Sequence, residues 1–127
     1  MNSELTKLLE IAKQAAEKAY VPYSGFKVGS AVICIDGSVY SGCNVENASY
    51  SLTICAERTA IFKAISEGHK QFTAIAIYVD SDKVFPPCGA CRQVISEFAP
   101  TIPVVYANLN ETIETTMDKL LPGAFKL

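Results

Sequence analysis

Apolar residues recur at three- and four-residue steps through Leu5, Leu8, Leu9, Ala12, Ala15, Ala16 and Ala19. This spacing predicts a helix over roughly residues 4–19 with one apolar face, capped by Ser3 and ended by Pro22. The pattern changes in "KVGSAVICIDGSVYSGCNV". There, strand-like runs near 28–35 and 38–44 flank Asp36-Gly37, a dipeptide suited to a two-residue hairpin turn. Helical spacing returns in "CAERTAIFKAISEGHK", where Ala60, Ile61, Ala64 and Ile65 turn inward and Gly68 falls just past the helix end. "FTAIAIYV" is apolar almost throughout, as a strand covered on both faces is. A loop over 80–87 closes on Pro86-Pro87 and opens a third helix near 89–98, stopped before Pro100. "PVVYA" reads as another buried strand, "ETIET" as a fifth, and "MDKLL" as a last helical turn or two.

The order α, β-hairpin, α, β, α, β, β has no repeat and no linker. It predicts one domain over 1–127 of the α/β class, a three-layer α/β/α sandwich around a mixed five-stranded sheet. Between 107 and 111 the chain is too short for a crossover, so the last two strands are expected to pair antiparallel. With 127 residues, half of them apolar, the chain can bury a substantial core. A net charge of -2 and the lack of any Lys/Arg block argue against a polymeric nucleic-acid partner. The first residues carry charges every few positions, and no apolar run approaches the ~20 residues needed to span a bilayer. The expectation is a cytoplasmic protein with no membrane partner.

Five cysteines are an odd number, and in a cytoplasmic chain metal binding or catalysis is a better default for paired cysteines than structural disulfides. Alone, Cys88 and Cys91 admit a catalytic zinc, a structural zinc, a redox pair or buried thiols. Cys55 changes the balance, because it begins one helix as Cys88 and Cys91 begin another. Two helix starts from neighbouring crossovers can converge at one end of a sheet. Three thiolates and a water complete a tetrahedron with an open position, the arrangement of a catalytic zinc; a structural site wants a fourth Cys or His, and none stands at a suitable spacing. The positive ends of both helices favour the thiolate form. Arg58, on the same first turn as Cys55, can donate to sulfur and offset excess negative charge, or pair with an acidic helix neighbour instead. Glu57 lies two residues after Cys55. A carboxylate facing the open position can take a proton from water and return it to a substrate nitrogen and a leaving amine.

"CAE" followed by "PCGAC" resembles the zinc-dependent cytidine deaminases. The resemblance extends through "PYSGFKVGSA", "GCNVENASYS", "CAERTAIFKAISEG", "PCGACRQVISEF" and "LLPGAF", in the order found in the short, free-nucleoside class of that family. It implies Cys55, Cys88 and Cys91 as ligands of one Zn2+ per subunit and Glu57 as proton shuttle. It further implies Asn44 and Glu46 on the ribose hydroxyls, Phe26 against the pyrimidine and the backbone of Ala56 at the base edge. Tyr50 and Phe125 resemble residues that reach a neighbouring subunit's site in a homotetramer. The implied reaction is hydrolytic deamination of cytidine and 2′-deoxycytidine at C4, serving pyrimidine salvage without an organic cofactor. On the residues alone, Glu46 reads equally as a surface carboxylate, and Phe26, Tyr50 and Phe125 as core aromatics. Gln93 is a candidate to support the thiolates through its amide.

Cys34 reads as a core residue in a strand and Cys43 as a small buried group beside the ribose segment. His69, the only histidine, follows Gly68 at a helix end, where a surface imidazole favours the negative end of the helix dipole. Related deaminases of nucleotides and of tRNA place a histidine as first metal ligand, but here that position is Cys55. Three other functions compete. A deaminase of a modified cytosine nucleoside such as blasticidin is disfavoured by "NVENASY". A polynucleotide editor is disfavoured by the acidic balance, the Cys ligand and the antiparallel final pair. The third is a zinc-stabilised binding module without turnover.

Overall fold

The computed structural model describes residues 1–127. In chain order its elements are helix α1 (Ser3–Ala16), strands β1 (Val28–Cys34) and β2 (Val39–Cys43), a 3-10 turn at Tyr50–Leu52, helix α2 (Ala56–Ser66), strand β3 (Phe72–Val79), helix α3 (Gly89–Phe98), strands β4 (Pro103–Ala107) and β5 (Thr112–Thr116), and helix α4 (Met117–Leu120). The sheet has five strands in the order β2-β1-β3-β4-β5. β1 is antiparallel to both β2 and β3, β3 and β4 are parallel, and β4 and β5 are antiparallel. The mixed sheet and antiparallel last pair expected from the sequence are therefore both present.

Alternation along the strands divides the core into two slabs. Ala31, Ala74, Ala76, Tyr78, Val105 and Ala107 face α1, which buries Leu5, Leu8, Ala12 and Ala16 against them. Val32, Cys34, Ile75, Ile77 and Val104 face the other way, onto Ala60, Ile61 and Ala64 of α2, Ile95 of α3 and Met117 of α4. Small residues on the first face let α1 lie close. A Cβ on Gly29 would sit 1.9 Å from the Ala12 carbonyl oxygen, so only glycine permits that approach. β2 and β3, each antiparallel to β1, run the same way. The connections through α2 and α3 lie on one face, so both helices begin above the same end of the sheet. That shared end carries the functional site.

Three local expectations are corrected. Asn2, not Ser3, caps α1: its side-chain oxygen accepts from the Leu5 N–H at 2.8 Å. The helix stops at Ala16 rather than 19, because the chain is captured by β2's exit: Tyr20 N–H donates to Asn44 O at 3.1 Å and Glu46 N–H to Tyr20 O at 2.8 Å. The hairpin turn uses three residues, Ile35-Asp36-Gly37. Gly37 has φ 91 while Asp36 keeps a negative φ, which rules out the two-residue type I′ turn. Cys34 and Ser38 close the loop, with Cys34 N–H donating to Ser38 O at 2.8 Å. At the end of α2, Gly68 (φ 95) completes a Schellman motif: its N–H donates to Ile65 O at 2.9 Å, and His69 N–H donates to Ala64 O at 3.0 Å. No helix is long and apolar enough to cross a membrane.

Candidate active site

Cys55 and Cys88 occupy the N-cap positions of α2 and α3, both with extended backbone and neither side chain spent on capping. An N-cap Ser or Asp turns its oxygen back onto the first-turn N–H groups; here the sulfurs are free to face each other. Cys91 follows on the first turn of α3 and is fully buried. The three sulfurs lie within 4.8 Å of one another, and those of Cys55 and Cys88 are 3.6 Å apart. Zn–S bonds of about 2.3 Å in tetrahedral array place sulfurs roughly 3.8 Å apart, close to the Cys55–Cys88 separation, and the Cys91 sulfur lies near enough to complete a zinc's donor set. Soft thiolates at two helix N-termini are also the chemistry such an ion selects.

Arg58 Nη2 donates to Cys55 Sγ at 3.3 Å, while its buried Nε has no partner. The thiol of Cys91, then Arg58, hold Cys55 down to about 5, so a negative sulfur exists even before a cation binds. Cys91 is pushed up by that same hydrogen bond and by burial. The Cys55 hydrogen bond also raises Arg58, which stays a cation. Glu57 is 4% exposed, with the Cys91 thiol beside its carboxyl. Burial pushes its carboxyl up to about 7, and the nearby Cys55 charge adds to that, against a smaller pull from a backbone N–H. A carboxyl poised near neutrality can both accept and release a proton.

Beside the sulfurs lies a cavity of about 250 Å³, lined among others by Phe26, Asn44, Ala56, Glu57, Phe85 and Cys88. Its mostly apolar wall with a few convergent polar groups is typical of a small-molecule site. Phe26 stands at its mouth, edge-on to Phe85 with ring centroids 5.8 Å apart. Asn44 lines the cavity and also braces it: Oδ1 accepts from Val28 N–H at 2.9 Å and Nδ2 donates to Phe26 O at 2.8 Å. Glu46 lies outside this cavity, in an adjoining groove with Tyr23, Ser24, Tyr50 and Thr53. Thr53 lines both spaces and joins them. Glu46 Oε1 accepts from the N–H groups of Tyr23 (2.9 Å) and Ser24 (3.1 Å), and the Ser24 hydroxyl donates to Oε2. These bonds, the hydroxyl first, hold Glu46 below the usual carboxylate range.

Tyr50 and Phe125 do not meet the cavity of their own chain; they are 77% and 69% exposed. Tyr50 packs edge-on against Tyr23. The expectation for Gln93 is corrected. Its amide donates to Phe125 O at 3.3 Å, because two residues along α3 from Cys91 a side chain points to the opposite side of the helix. Cys43 is half-buried and lines a polar groove across the β2 edge, not the cavity. Two contributors were missed in the sequence. Phe85 was hidden in a loop whose prolines force it into extended presentation. Arg92 donates to Pro87 O at 2.7 Å and Leu120 O at 2.9 Å, fixing the approach to Cys88; its only local signal is its place directly after Cys91.

The family model for the cytidine and deoxycytidylate deaminase zinc-binding region matches residues 2–108. The chain belongs to this family. A protein of Sporosarcina psychrophila named cytidine deaminase is 54% identical over 96% of this chain and 91% of its own. The crystal structure of cytidine deaminase from Burkholderia pseudomallei superposes with a TM-score of 0.90 at 50% identity, covering 98% of this chain and 100% of that one. A blasticidin-S deaminase of Bacillus cereus is more distant, 36% identical over 90% of this chain and 89% of its own.

Glu57 sets a pH test on the zinc-chelated protein. Its folded value of about 7 lies above the unfolded 4.5, so its contribution is intact below 4.5 and is lost as pH rises through 7. Urea unfolding at pH 5 and pH 8 is expected to show Glu57→Gln gaining on the parent by about 3 kcal/mol across that window. A constant difference between the two proteins would show that the carboxyl is not desolvated.

Proposed function

We propose that this chain is a zinc-dependent hydrolase that deaminates cytidine and 2′-deoxycytidine, releasing ammonia and leaving uridine or deoxyuridine. The observation that carries this reading is a buried, near-neutral carboxyl at Glu57 beside three sulfurs, at the wall of a cavity of about 250 Å³. Cys55, Cys88 and Cys91 hold the ion, and zinc supplies a Lewis acid that makes water nucleophilic near neutral pH. Glu57 accepts the proton that water gives up on adding to C4 and delivers it to N3 of the ring. It then takes the second proton from the hydroxyl now on C4 and passes it to the amino group, which leaves as ammonia while the C4 carbonyl forms, so one carboxylate acts as base and acid in turn. Burial matters here, because a carboxylate of ordinary acidity would be too weak a base to take the proton from water.

The remaining residues orient the nucleoside. Phe26 packs on the pyrimidine, and the free N–H groups at the start of α2, from Ala56 onward, face the base edge. Asn44 keeps one amide hydrogen and Glu46 keeps unused lone pairs after their internal bonds, enough to donate to and accept from a vicinal diol. Thr53, shared by cavity and groove, marks the path from base to sugar. The exposed rings of Tyr50 and Phe125 suit contact with another copy, and the reading includes a cytoplasmic homotetramer of single-domain chains that share sites and serve pyrimidine salvage. The blasticidin alternative is weaker, since the protein of that name is a more distant relative than those named cytidine deaminase.

Ultraviolet absorbance of cytidine, deoxycytidine, cytosine and CMP with the purified protein is expected to fall for the two nucleosides only. Glu57→Gln should retain zinc and fold yet lose ammonia release by several orders of magnitude. A variant hydrolysing cytidine at the parent rate would remove Glu57 from the chemistry, and a parent inactive on every substrate would leave a zinc-stabilised binding module. Deleting residues 122–127 is expected to weaken both assembly, read by sedimentation, and nucleoside affinity; a fully active tetramer after truncation would contradict sites shared between chains.

A further inference from the structure

Far from the cavity, at the other end of β1, a second set of metal-type donors comes together. One ligand atom each of Cys34, Asp36 and His69 lies within 4.8 Å of the other two. β1 enters the active-site wall at Val28 and ends at Cys34, so the two sets are separated by about 20 Å of strand. We propose that Cys34, Asp36 and His69 form a second metal site, for a borderline-soft divalent cation of the zinc class, clamping the β1–β2 hairpin to the end of α2.

Asp36 and His69 are held by contacts that leave a ligand atom free, while the Cys34 sulfur meets the Ser38 hydroxyl, a partner a cation would displace. Cys34 is the last residue of β1, fixed by its backbone pairing with Ser38. Asp36 spends Oδ1 on the Ser38 N–H (3.0 Å) and hydroxyl (2.6 Å), leaving Oδ2 turned to His69. His69 is fixed by the Schellman bond to Ala64, and its ring leans on Tyr40 with centroids 5.4 Å apart. The two segments are tied to each other by the Ile35 N–H, which donates to Gln71 O at 2.9 Å.

The spacing argues for a shared cation over a direct bond. His69 Nδ1 and Asp36 Oδ2 are 3.7 Å apart, too long for a hydrogen bond. Nitrogen and oxygen on one tetrahedral zinc lie roughly 3.4 Å apart, given bonds of about 2.0–2.2 Å. Sulfur, imidazole and carboxylate together suit zinc and are poor for magnesium or calcium, which take oxygen donors. Binding displaces the Cys34 thiol proton to solvent; one thiolate and one carboxylate then neutralise the dication, with neutral His69 as third ligand and water as fourth. Asp36 is the exposed member of the set and gives the cation a way in.

The test counts zinc per chain by mass spectrometry, after equilibration with buffered free zinc, for the parent, His69→Gln and Asp36→Asn. The parent is expected to hold a second equivalent that both variants lose, with affinity falling by more than the roughly 10–100-fold that follows loss of a ligand's outer partner. Cytidine turnover should be equal in all three, and cobalt substitution should give a thiolate-to-metal absorption component that disappears with His69. Because the readout is dependence on His69, it stands apart from what the first centre holds. Parent and His69→Gln binding the same number of zinc ions with the same affinity would overturn the proposal and leave Asp36 and His69 as a weak surface ion pair.

Discussion

The convergence of two helix N-termini above one end of a twisted sheet is the constraint on which the site depends. α2 starts after β2 and α3 after β3, and those strands run the same way because each is antiparallel to β1. With both helices on one face, Cys55 and Cys88 arrive as neighbouring caps and Cys91 one turn further in. Three sulfurs 4.8 Å apart or less would repel as thiolates if nothing balanced them. The helix ends, Arg58 and a bound cation supply that balance. Without the cation, the hydrogen bond from Cys91 draws Cys55 down and pushes Cys91 up, so negative charge in the cluster centres on Cys55.

That electrostatic arrangement also explains Glu57. The residue is near enough to the sulfurs to feel Cys55's charge and is buried enough for its own ionisation to be costly. A more exposed carboxylate would be a weaker base, and one paired directly with Arg58 would be weaker still. Arg58 instead faces sulfur, keeping its charge beside the metal ligands. The apolar wall of Phe26, Val28, Ile77, Val79 and Phe85 keeps the local dielectric low, which strengthens each of these interactions.

What was legible in the sequence was what is local in the chain. Cys55-Ala56-Glu57 and Cys88-x-x-Cys91 sit within single helical turns, so spacing alone placed them at helix starts. The strands and the antiparallel end pair followed from apolar runs and loop length. Less legible were bonds between distant residues. Glu46 accepts from Tyr23 and Ser24, 23 and 22 positions away, and Asn44 ties Phe26 to Val28, so both are structural braces as well as candidate sugar contacts. Gln93 was misjudged because proximity in sequence to Cys91 is not proximity on the helix surface. Cys34 is buried as its strand position implies, whereas His69 is half-buried rather than at the surface, and their meeting at Asp36 depends on how the hairpin tip docks on the end of α2, which no local pattern encodes.

The central claim is a cation held by three cysteine sulfurs with its fourth position open to solvent. X-ray absorption at the zinc edge, on protein carrying one zinc per chain, tests it most directly. The account predicts three sulfur neighbours at about 2.3 Å and one oxygen at about 2.0 Å. A shell with four protein donors, or with fewer than three sulfurs, would contradict it.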